Sequence, residues 1–219
     1  MASPGTLTSE QQRALDRLGG ASALRDFYLA GGCAIGLHLG HRSSVDLDVF
    51  STRGDVSLDE LRLSLATEVP EFEVVGVSDA TLNGRVFGVP VDIVRYPYPP
   101  LGVLDTASGP MPVASLLDLA TMKVSAIARR GIRRDFWDLH EIIQRTDLDL
   151  ETVGDAFKVR FGRSDADLYH VLKAMTYFED AEADTLMPHG MDQEKWRSVR
   201  DWFEIAAPRE LARRLHANL

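Results

Sequence analysis

Residues 29–50, LAGGCAIGLHLGHRSSVDLDVF, decide the fold of this chain and indicate its chemistry. They are typical of an apolar strand, a glycine pair that opens a short helix, and a second strand in which apolar and acidic residues alternate. Because successive side chains of a strand point to opposite faces, Asp46 and Asp48 are expected on one face, with Val45 on the other. The stretch predicts an α/β fold whose sheet carries two converging carboxylates.

The converging carboxylates indicate a divalent cation. Like charges held close together raise each other's pKa and cost stability unless a cation lies between them. Mg²⁺ prefers a few carboxylate oxygens together with substrate phosphates. A third acid, Asp92, lies in VPVDIVRY on a later predicted strand. Pairing of the two strands would place Asp46, Asp48 and Asp92 around two Mg²⁺ or Mn²⁺ ions, an arrangement used for in-line nucleotidyl displacement.

The glycine pair predicts the phosphate-binding half of such a site. Gly31 and Gly32 lie between a predicted strand and a helix. There, glycine lets backbone N–H groups approach anionic oxygens, and the helix N-terminus adds partial positive charge. Arg42 and Ser44, just before the acids, are placed to contact the same phosphates. A nucleoside triphosphate (NTP) is the natural ligand of this pattern.

The composition is that of a folded soluble protein. The chain has 219 residues, 45% hydrophobic and 26% charged, which excludes disordered, collagenous and coiled-coil classes. Its only cysteine, Cys33, cannot form an internal disulfide, which agrees with a reducing compartment. The first twenty residues are polar, and no apolar stretch is long enough to cross a membrane. We therefore expect a cytoplasmic protein without a signal peptide or membrane span.

The charge distribution limits the mode of nucleic-acid binding. The formal net charge of −9 argues against a surface that coats nucleic acid. Residues 123–134 carry a net positive charge in this acidic chain, because they include five basic residues and no acidic one. Any contact with RNA is therefore expected to be local.

Proline content predicts two domains. Half of the ten prolines lie in residues 97–112, PYPPLGVLDTASGPMP, which we interpret as a linker. The prediction is an α/β domain over residues 1–112, with a mixed or antiparallel sheet, and an α-helical bundle over residues 113–219.

Hydrophobic periodicity predicts the individual elements. The first domain is predicted to begin with a helix over 8–18, a strand FYLAG and a strand over 45–50. A helix over 58–67 follows, opened by a Ser57–Glu60 capping box. The domain ends with antiparallel strands around an Asn83–Gly84 turn, the last of them over 91–96. In the second domain, helices are predicted over 114–130, 133–145, 150–161, 165–180, 192–206 and 208–217.

The glycine pair and the three acids resemble the motif of the nucleotidyltransferase superfamily with the DNA polymerase β palm. The segment HLGHRSSVDLDVF is similar to the AbiEii/AbiGii branch of that superfamily, which comprises the toxins of type IV toxin–antitoxin systems. The branch also has a lysine followed by a basic-Asp-x-x-Asp-Leu element, matched here by Lys123 and by RDFWDL at residues 134–139. The resemblance covers about residues 27–145. Gly32 and Arg134 stand where the family often has serine and lysine.

The resemblance implies a function and a fuller set of site residues. It implies Mg²⁺-dependent transfer of a nucleotide from an NTP to RNA, such as a tRNA 3′ end, with a cognate antitoxin as partner. Lys123 and Asp135 would act with the three acids in catalysis, and Lys123 and Asp138 in nucleotide binding. A protein or an aminoglycoside remains an alternative acceptor, and a degenerate transferase that only binds an antitoxin remains a non-enzymatic alternative.

The residues around Lys123 also allow structural interpretations. This lysine interrupts an apolar helix, and its ammonium needs a partner, either a phosphate or Asp135, unless it reaches solvent. Asp135 and Asp138 share a helix face and are possible partners of Arg130 and Arg134. The neighbouring Trp137, by contrast, is expected in the core.

Rival enzyme classes fit the sequence less well. Haloacid-dehalogenase phosphatases also use a D-x-D strand, but they begin the fold with it, whereas a Gly-Gly helix precedes it here. The sequence contains no P-loop, GxGxxG, GxSxG, HExxH or CxxC motif, so kinase-like, dinucleotide-binding, hydrolase and zinc classes lack their signatures.

Overall fold

The structure is a computed structural model that describes residues 7–184 and 187–217. The chain divides into two compact units, Met1–Leu119 and Ala120–Leu219. The predicted division at residue 112 remains a prediction, and residues 1–6 of the polar N-terminus lie outside the described part. Within that part, every helix is too short or too polar to cross a membrane.

The first unit is built on a five-stranded sheet with the order β1-β2-β5-β4-β3 among the described residues. Strands β2 and β5 pair in parallel, and the other neighbours are antiparallel. The strands are β1 (Phe27–Ala30), β2 (Leu47–Ser51), β3 (Phe72–Val77), β4 (Thr81–Val86) and β5 (Val89–Val94).

Helices α1 (Ser9–Gly19), α2 (Gly31–Leu39) and α3 (Leu58–Glu68) accompany this sheet. Thr8 and Gln11 form a capping box at the start of α1, and Ser57 accepts the N–H of Glu60 at the start of α3. These caps satisfy N–H groups that have no partner within the helix. Helix α3 begins at the predicted residue 58, and α1 begins one residue after the predicted residue 8.

One face of the sheet forms the core, and the other carries polar side chains. Helix α1 contacts β5 and α3 contacts β4 on the core face. Its buried side chains are Leu47, Val49, Leu82, Val86, Val91 and Ile93. The prediction that Val45 belongs to this face is wrong: β2 begins at Leu47, and Val45 is 77% exposed in the preceding bend.

The predicted Asn83–Gly84 turn is also wrong. Both residues lie inside β4, and the β4–β5 hairpin closes at Phe87 and Gly88, whose φ angles are 51° and 79°. A two-residue turn with positive φ at both positions matches the right-handed twist of the flanking strands. Gly84 is needed inside β4 because the ring of Phe72 occupies the space of a side chain there.

The proline-rich segment is fastened to the first unit. Its end runs beside β1, where Leu29 donates its N–H to Pro112 O at 2.7 Å and accepts the N–H of Ala114 at 2.9 Å. The fully buried Asp118 accepts the N–H groups of Leu101 and Gly102 at 2.8 and 2.9 Å. These contacts give the segment a defined path although it holds no helix or multi-residue strand.

Helix α4 (Leu116–Arg129) begins in the first unit, and the rest of the second unit is helical over its described residues. The helices that follow are α5 (Arg133–Arg145), α6 (Leu150–Phe161), α7 (Asp165–Ala174), α8 (Glu179–Ala183) and α9 (Gln193–Ala217). Two predicted boundaries are wrong: the helix over 165–180 is two helices, and Pro208 does not break α9. A proline removes one backbone hydrogen bond, and here buried residues on both sides of it, Phe203 and Glu210, keep α9 packed.

An aromatic cluster forms much of the core of the second unit. Phe136 contacts Phe203 and Trp196 with ring centroids 5.2 and 5.9 Å apart. Trp137 is fully buried and donates its indole N–H to Glu141 at 3.0 Å. The prediction that Trp137 is a core residue is confirmed.

Candidate active site

A row of polar side chains crosses three neighbouring strands on the face opposite the core. Asp48 of β2 lies directly beside Asp92 of parallel β5, and Asn83 of β4 lies directly beside Asp92 on its other side. All three are half-buried. The strand register therefore brings together two of the three predicted acids.

The third predicted acid, Asp46, lies in the bend before β2 and is held by hydrogen bonds. Ser44 Oγ donates to Asp46 Oδ1 at 2.7 Å. The buried Gln11 of α1 in turn donates its side-chain N–H to the backbone oxygen of Ser44 at 2.7 Å. Gln11 gives no sequence signal, because its role depends on a contact 33 residues away.

The two glycines pack directly against this acidic bend. Gly31 has φ +66°, and a Cβ there would overlap the Asp48 carboxylate. A Cβ on Gly32 would lie 2.5 Å from Arg42 Nη2 and 2.9 Å from Ser44 Oγ. The structure therefore brings Gly31 against Asp48, and Gly32 against Arg42 and Ser44.

The N-terminus of α2 opens at the same place. Its N-cap residue, Ala30, makes no side-chain capping hydrogen bond to the first turn. An uncapped helix N-terminus offers backbone N–H donors and partial positive charge to an anion.

Asn83 is the residue of this row that sequence reasoning missed. Its Nδ2 donates to Asp92 Oδ1 at 2.7 Å, which fixes the orientation of that carboxylate. The signal was present: a hairpin closed at Phe87–Gly88 places Asn83 opposite Asp92, whereas interpreting Asn83–Gly84 as the turn does not.

The buried thiol of Cys33 responds to the charges of the site. Burial, followed by the charges of Asp48 and Asp46, raises the pKa of this thiol to about 12, although Arg42 partly opposes the effect. The pKa of Cys33 therefore depends in part on the negative charges of Asp46 and Asp48.

We expect the thiolate of Cys33 to remain a small fraction at pH 10 in the folded protein. Below its pKa of about 12 the thiolate fraction rises about tenfold per pH unit, whereas an ordinary thiol is mostly ionised above its pKa of 9.0. The difference in ultraviolet thiolate absorbance between wild type and Cys33→Ser follows the titration in folded and in urea-unfolded protein, the unfolded chain being the control. A folded-state titration that is complete near pH 10 would contradict the raised pKa.

The donor set of the acidic row fits Mg²⁺ or Mn²⁺. Both are hard cations that prefer oxygen ligands, and Mg²⁺ is commonly held by one or two carboxylates together with substrate phosphates. Asp48 and Asp92 supply two adjacent carboxylates, and the missing side chain of Gly31 lets the Asp48 carboxylate lie against the start of α2. Over the described ranges, no three His, Cys, Asp or Glu residues form a ready-made metal cage.

The second group of predicted site residues forms a buried ion cluster in the second unit. Lys123 Nζ lies 2.9 Å from Asp135 Oδ1 and 2.8 Å from Asp138 Oδ2. Arg130 binds the Asp135 carboxylate with two N–H groups, at 2.9 and 3.1 Å. Both aspartates are fully buried and Lys123 is 7% exposed, so the interpretation of a lysine that reaches solvent is wrong.

The ion cluster keeps Asp135 ionised. Burial acts to raise the pKa of this carboxyl, but the charge of Lys123 and the hydrogen bonds of Arg130 outweigh it. The pKa of Asp135 is consequently lower than usual. Contact of Lys123, Asp135 or Asp138 with a nucleotide remains a prediction.

The arginines near Lys123 divide into two kinds. Arg133 is buried and donates to backbone oxygens of Asp184 and Glu182. Arg129, Arg130 and Arg134 are exposed and remain candidates for contact with an RNA backbone.

Comparison with protein families and sequences gives two matches. Residues 85–215 match the family described as nucleotidyl transferase AbiEii toxin, type IV TA system. This range contains Asp92, Lys123 and Asp135 and begins after Asp46 and Asp48. An uncharacterized protein of Aquifex aeolicus (strain VF5) is 29% identical over 213 residues, which cover 90% of this chain and 98% of that protein.

Two solved structures share the fold. A protein of H. pylori assigned as a nucleotidyltransferase has a TM-score of 0.52 and 17% identity, covering 92% of this chain and 93% of its own. The antibiotic-resistance factor ANT(2'')-Ia has a TM-score of 0.54 and 17% identity, covering 75% of this chain and 98% of its own. These matches confirm the predicted fold, an α/β sheet followed by helices.

Proposed function

Since the chain belongs to the AbiEii family of nucleotidyltransferase toxins, and is thus an enzyme that transfers a nucleotide, we propose that it uses a Mg²⁺-bound NTP to modify RNA. A tRNA 3′ end is the acceptor we propose first. The observation that carries this proposal is the direct pairing of Asp48 with Asp92 beside the Gly31–Gly32 turn. This pairing places acidic groups next to an uncapped helix N-terminus.

The phosphate-binding role falls to the residues around α2. Backbone N–H groups at Gly31 and Gly32, with the side chains of Arg42 and Ser44, bind oxygens of the triphosphate. Gly31 lies against Asp48, and Gly32 lies against Arg42 and Ser44, so a triphosphate bound by these residues would have its α-phosphate close to Asp48. Pre-positioning of this kind lowers the entropic cost of reaching the transition state.

The acids perform the second part of the reaction. Asp46, Asp48 and Asp92 would hold Mg²⁺ or Mn²⁺, which supplies charge stabilisation for the transferred phosphoryl group and for the leaving pyrophosphate. Asn83 already occupies Asp92 Oδ1, so Oδ2 of Asp92 accepts the proton of the acceptor hydroxyl. The hydroxyl oxygen attacks the α-phosphorus, and the bond between the α-phosphorus and the pyrophosphate oxygen breaks.

An RNA acceptor is supported by local charge. Arg129 and Arg134 are exposed in a chain of net charge −9 and form part of its one dense basic run in sequence. Arginine binds phosphate oxygens through its planar, forked donors. A cognate antitoxin is the partner that we propose from the family description. A cytoplasmic location agrees with a lone, buried cysteine.

The acceptor is tested by transfer of label. The purified protein is incubated with each α-³²P-labelled NTP and Mg²⁺, together with total RNA, soluble protein or an aminoglycoside. We expect label in RNA and its loss when Asp48→Asn replaces the wild type. Label in protein or aminoglycoside would contradict an RNA acceptor, and label in no fraction would favour a degenerate protein that only binds an antitoxin.

A further inference from the structure

Aromatic side chains continue the sheet face that carries the acidic row. Phe50 follows Asp48 by two residues along β2 and therefore lies on the same face. Its partner across β1 is Tyr28, with ring centroids 6.2 Å apart. Beyond the end of β5, Tyr96 meets Phe50 edge-on at 5.0 Å, and Tyr98 meets Tyr96 at 5.3 Å. We call these four residues the aromatic row.

One ring of the aromatic row is fully buried, and the other three are partly exposed. Tyr28 is fully buried and backs Phe50, whereas Phe50, Tyr96 and Tyr98 are half-buried. The position of Tyr96 is fixed because its backbone N–H donates to the buried Ser51 Oγ at 2.7 Å. Partly exposed aromatic rings are enriched at binding surfaces.

We propose that Phe50 and Tyr96 form a stacking surface for the nucleobase of the NTP. This assignment deepens the proposed function and rests on it. Two residues of strand separate Phe50 from Asp48 by about 7 Å, comparable to the span from an α-phosphate across ribose to the base. A nucleotide with its phosphates at Gly31 therefore reaches Phe50 with its base.

Stacking explains why this surface is aromatic. Every base has a π-face, so an aromatic ring binds it without strong sequence preference. The donor's base is favoured over an acceptor base because the aromatic row continues directly from the acidic row on the same strand.

The experiment compares an NTP with a ligand that has phosphates but no base. Mg²⁺-ATP, Mg²⁺-GTP and Mg²⁺-tripolyphosphate are titrated calorimetrically into wild type, Phe50→Leu and Tyr96→Leu. We expect the two variants to bind the nucleotides about 5- to 100-fold more weakly and tripolyphosphate unchanged, because stacking contributes to base binding alone. Phe87→Leu, an aromatic replacement in the β4–β5 turn, is the matched control and should bind both ligands normally.

Other results overturn the assignment. Unchanged nucleotide affinity in both variants, or an equal loss for tripolyphosphate, means that the aromatic row only packs. Weaker binding of a single-stranded RNA oligonucleotide with unchanged NTP affinity assigns it to the acceptor instead. Thermal unfolding shows which variants are folded at the assay temperature. A variant that is not folded is replaced by Phe50→Trp, which keeps an aromatic ring and is expected to retain the wild-type affinity for nucleotides.

The proposed function has its own control. Asp46→Asn with Asp48→Asn should weaken both Mg²⁺-NTP and Mg²⁺-tripolyphosphate binding. If this double variant binds both ligands with the wild-type affinity, the proposed metal and phosphate site is wrong. If the double variant loses binding while Phe50→Leu and Tyr96→Leu keep it, only the stacking assignment fails.

Discussion

Replacing Asp46 and Asp48 together by asparagine lowers the rate of nucleotide transfer by about 10³-fold or more, because the transition state loses its charge stabilisation. The protein should remain folded. Asparagine keeps the shape of aspartate and the acceptor for Ser44, and the change removes repulsion between like charges. Initial rates with labelled NTP measure transfer, and urea unfolding measures stability, which we expect to change by less than about 1 kcal/mol.

The matched control removes two negative charges elsewhere in the first unit. Asp55→Asn with Asp59→Asn changes two exposed carboxylates and the same net charge. Its transfer rate should stay within about twofold of wild type, since screened surface charges contribute little. Transfer at the wild-type rate by the Asp46 and Asp48 variant would remove these acids from the mechanism.

Replacing Lys123 by methionine lowers the free energy of unfolding by about 3–5 kcal/mol, because it leaves the fully buried Asp135 and Asp138 without this cation. From sequence alone, a lysine kept for a ligand would contribute little to folding. The buried cluster reverses that expectation. Chemical denaturation at pH 7 measures the loss.

Lys158→Met is the matched control for burial. Lys158 also pairs with two carboxylates, Asp155 at 3.3 Å and Asp165 at 2.6 Å, but both acids are exposed. Its replacement should cost less than about 1 kcal/mol. Equal losses in the two variants would show that burial does not set the strength of the Lys123 cluster.

The effect of pH gives an independent check on Lys123. In the wild type the pKa of Asp135 lies below its ordinary value of 3.8, so its stabilising contribution is present above pH 3.8 and is lost as pH falls through the lowered pKa. Without Lys123, only Arg130 opposes the effect of burial, so the pKa of Asp135 is higher in the variant than in the wild type. The stability difference between the two proteins should therefore shrink as pH falls through the higher pKa of the variant.

Local patterns predicted local structure well, because the physical causes lie within a few residues. The cap of α3 at Ser57 and the start of α2 at the glycine pair were both predicted from residues beside them. The contact of Asn83 with Asp92 was missed because the hairpin turn was predicted at Asn83–Gly84, whereas it closes at Phe87 and Gly88.

The site of Lys123 shows a second reason for failure. A lysine in an apolar helix has several possible partners, and periodicity does not select among them. Only the packing of α4 against α5 shows that Asp135 and Asp138 both surround it. Pro208 was misjudged because tertiary packing outweighs the loss of one helical hydrogen bond.

The parallel pairing of β2 with β5 has a consequence for how activity appears during synthesis. Asp48 and Asp92 are 44 residues apart in the chain, and every residue between them must be made before they meet. Closing such a long loop is entropically costly and usually comes late in folding. A nascent chain that ends before β5 lacks the paired carboxylates, so we expect it to transfer no nucleotide until the sheet is complete.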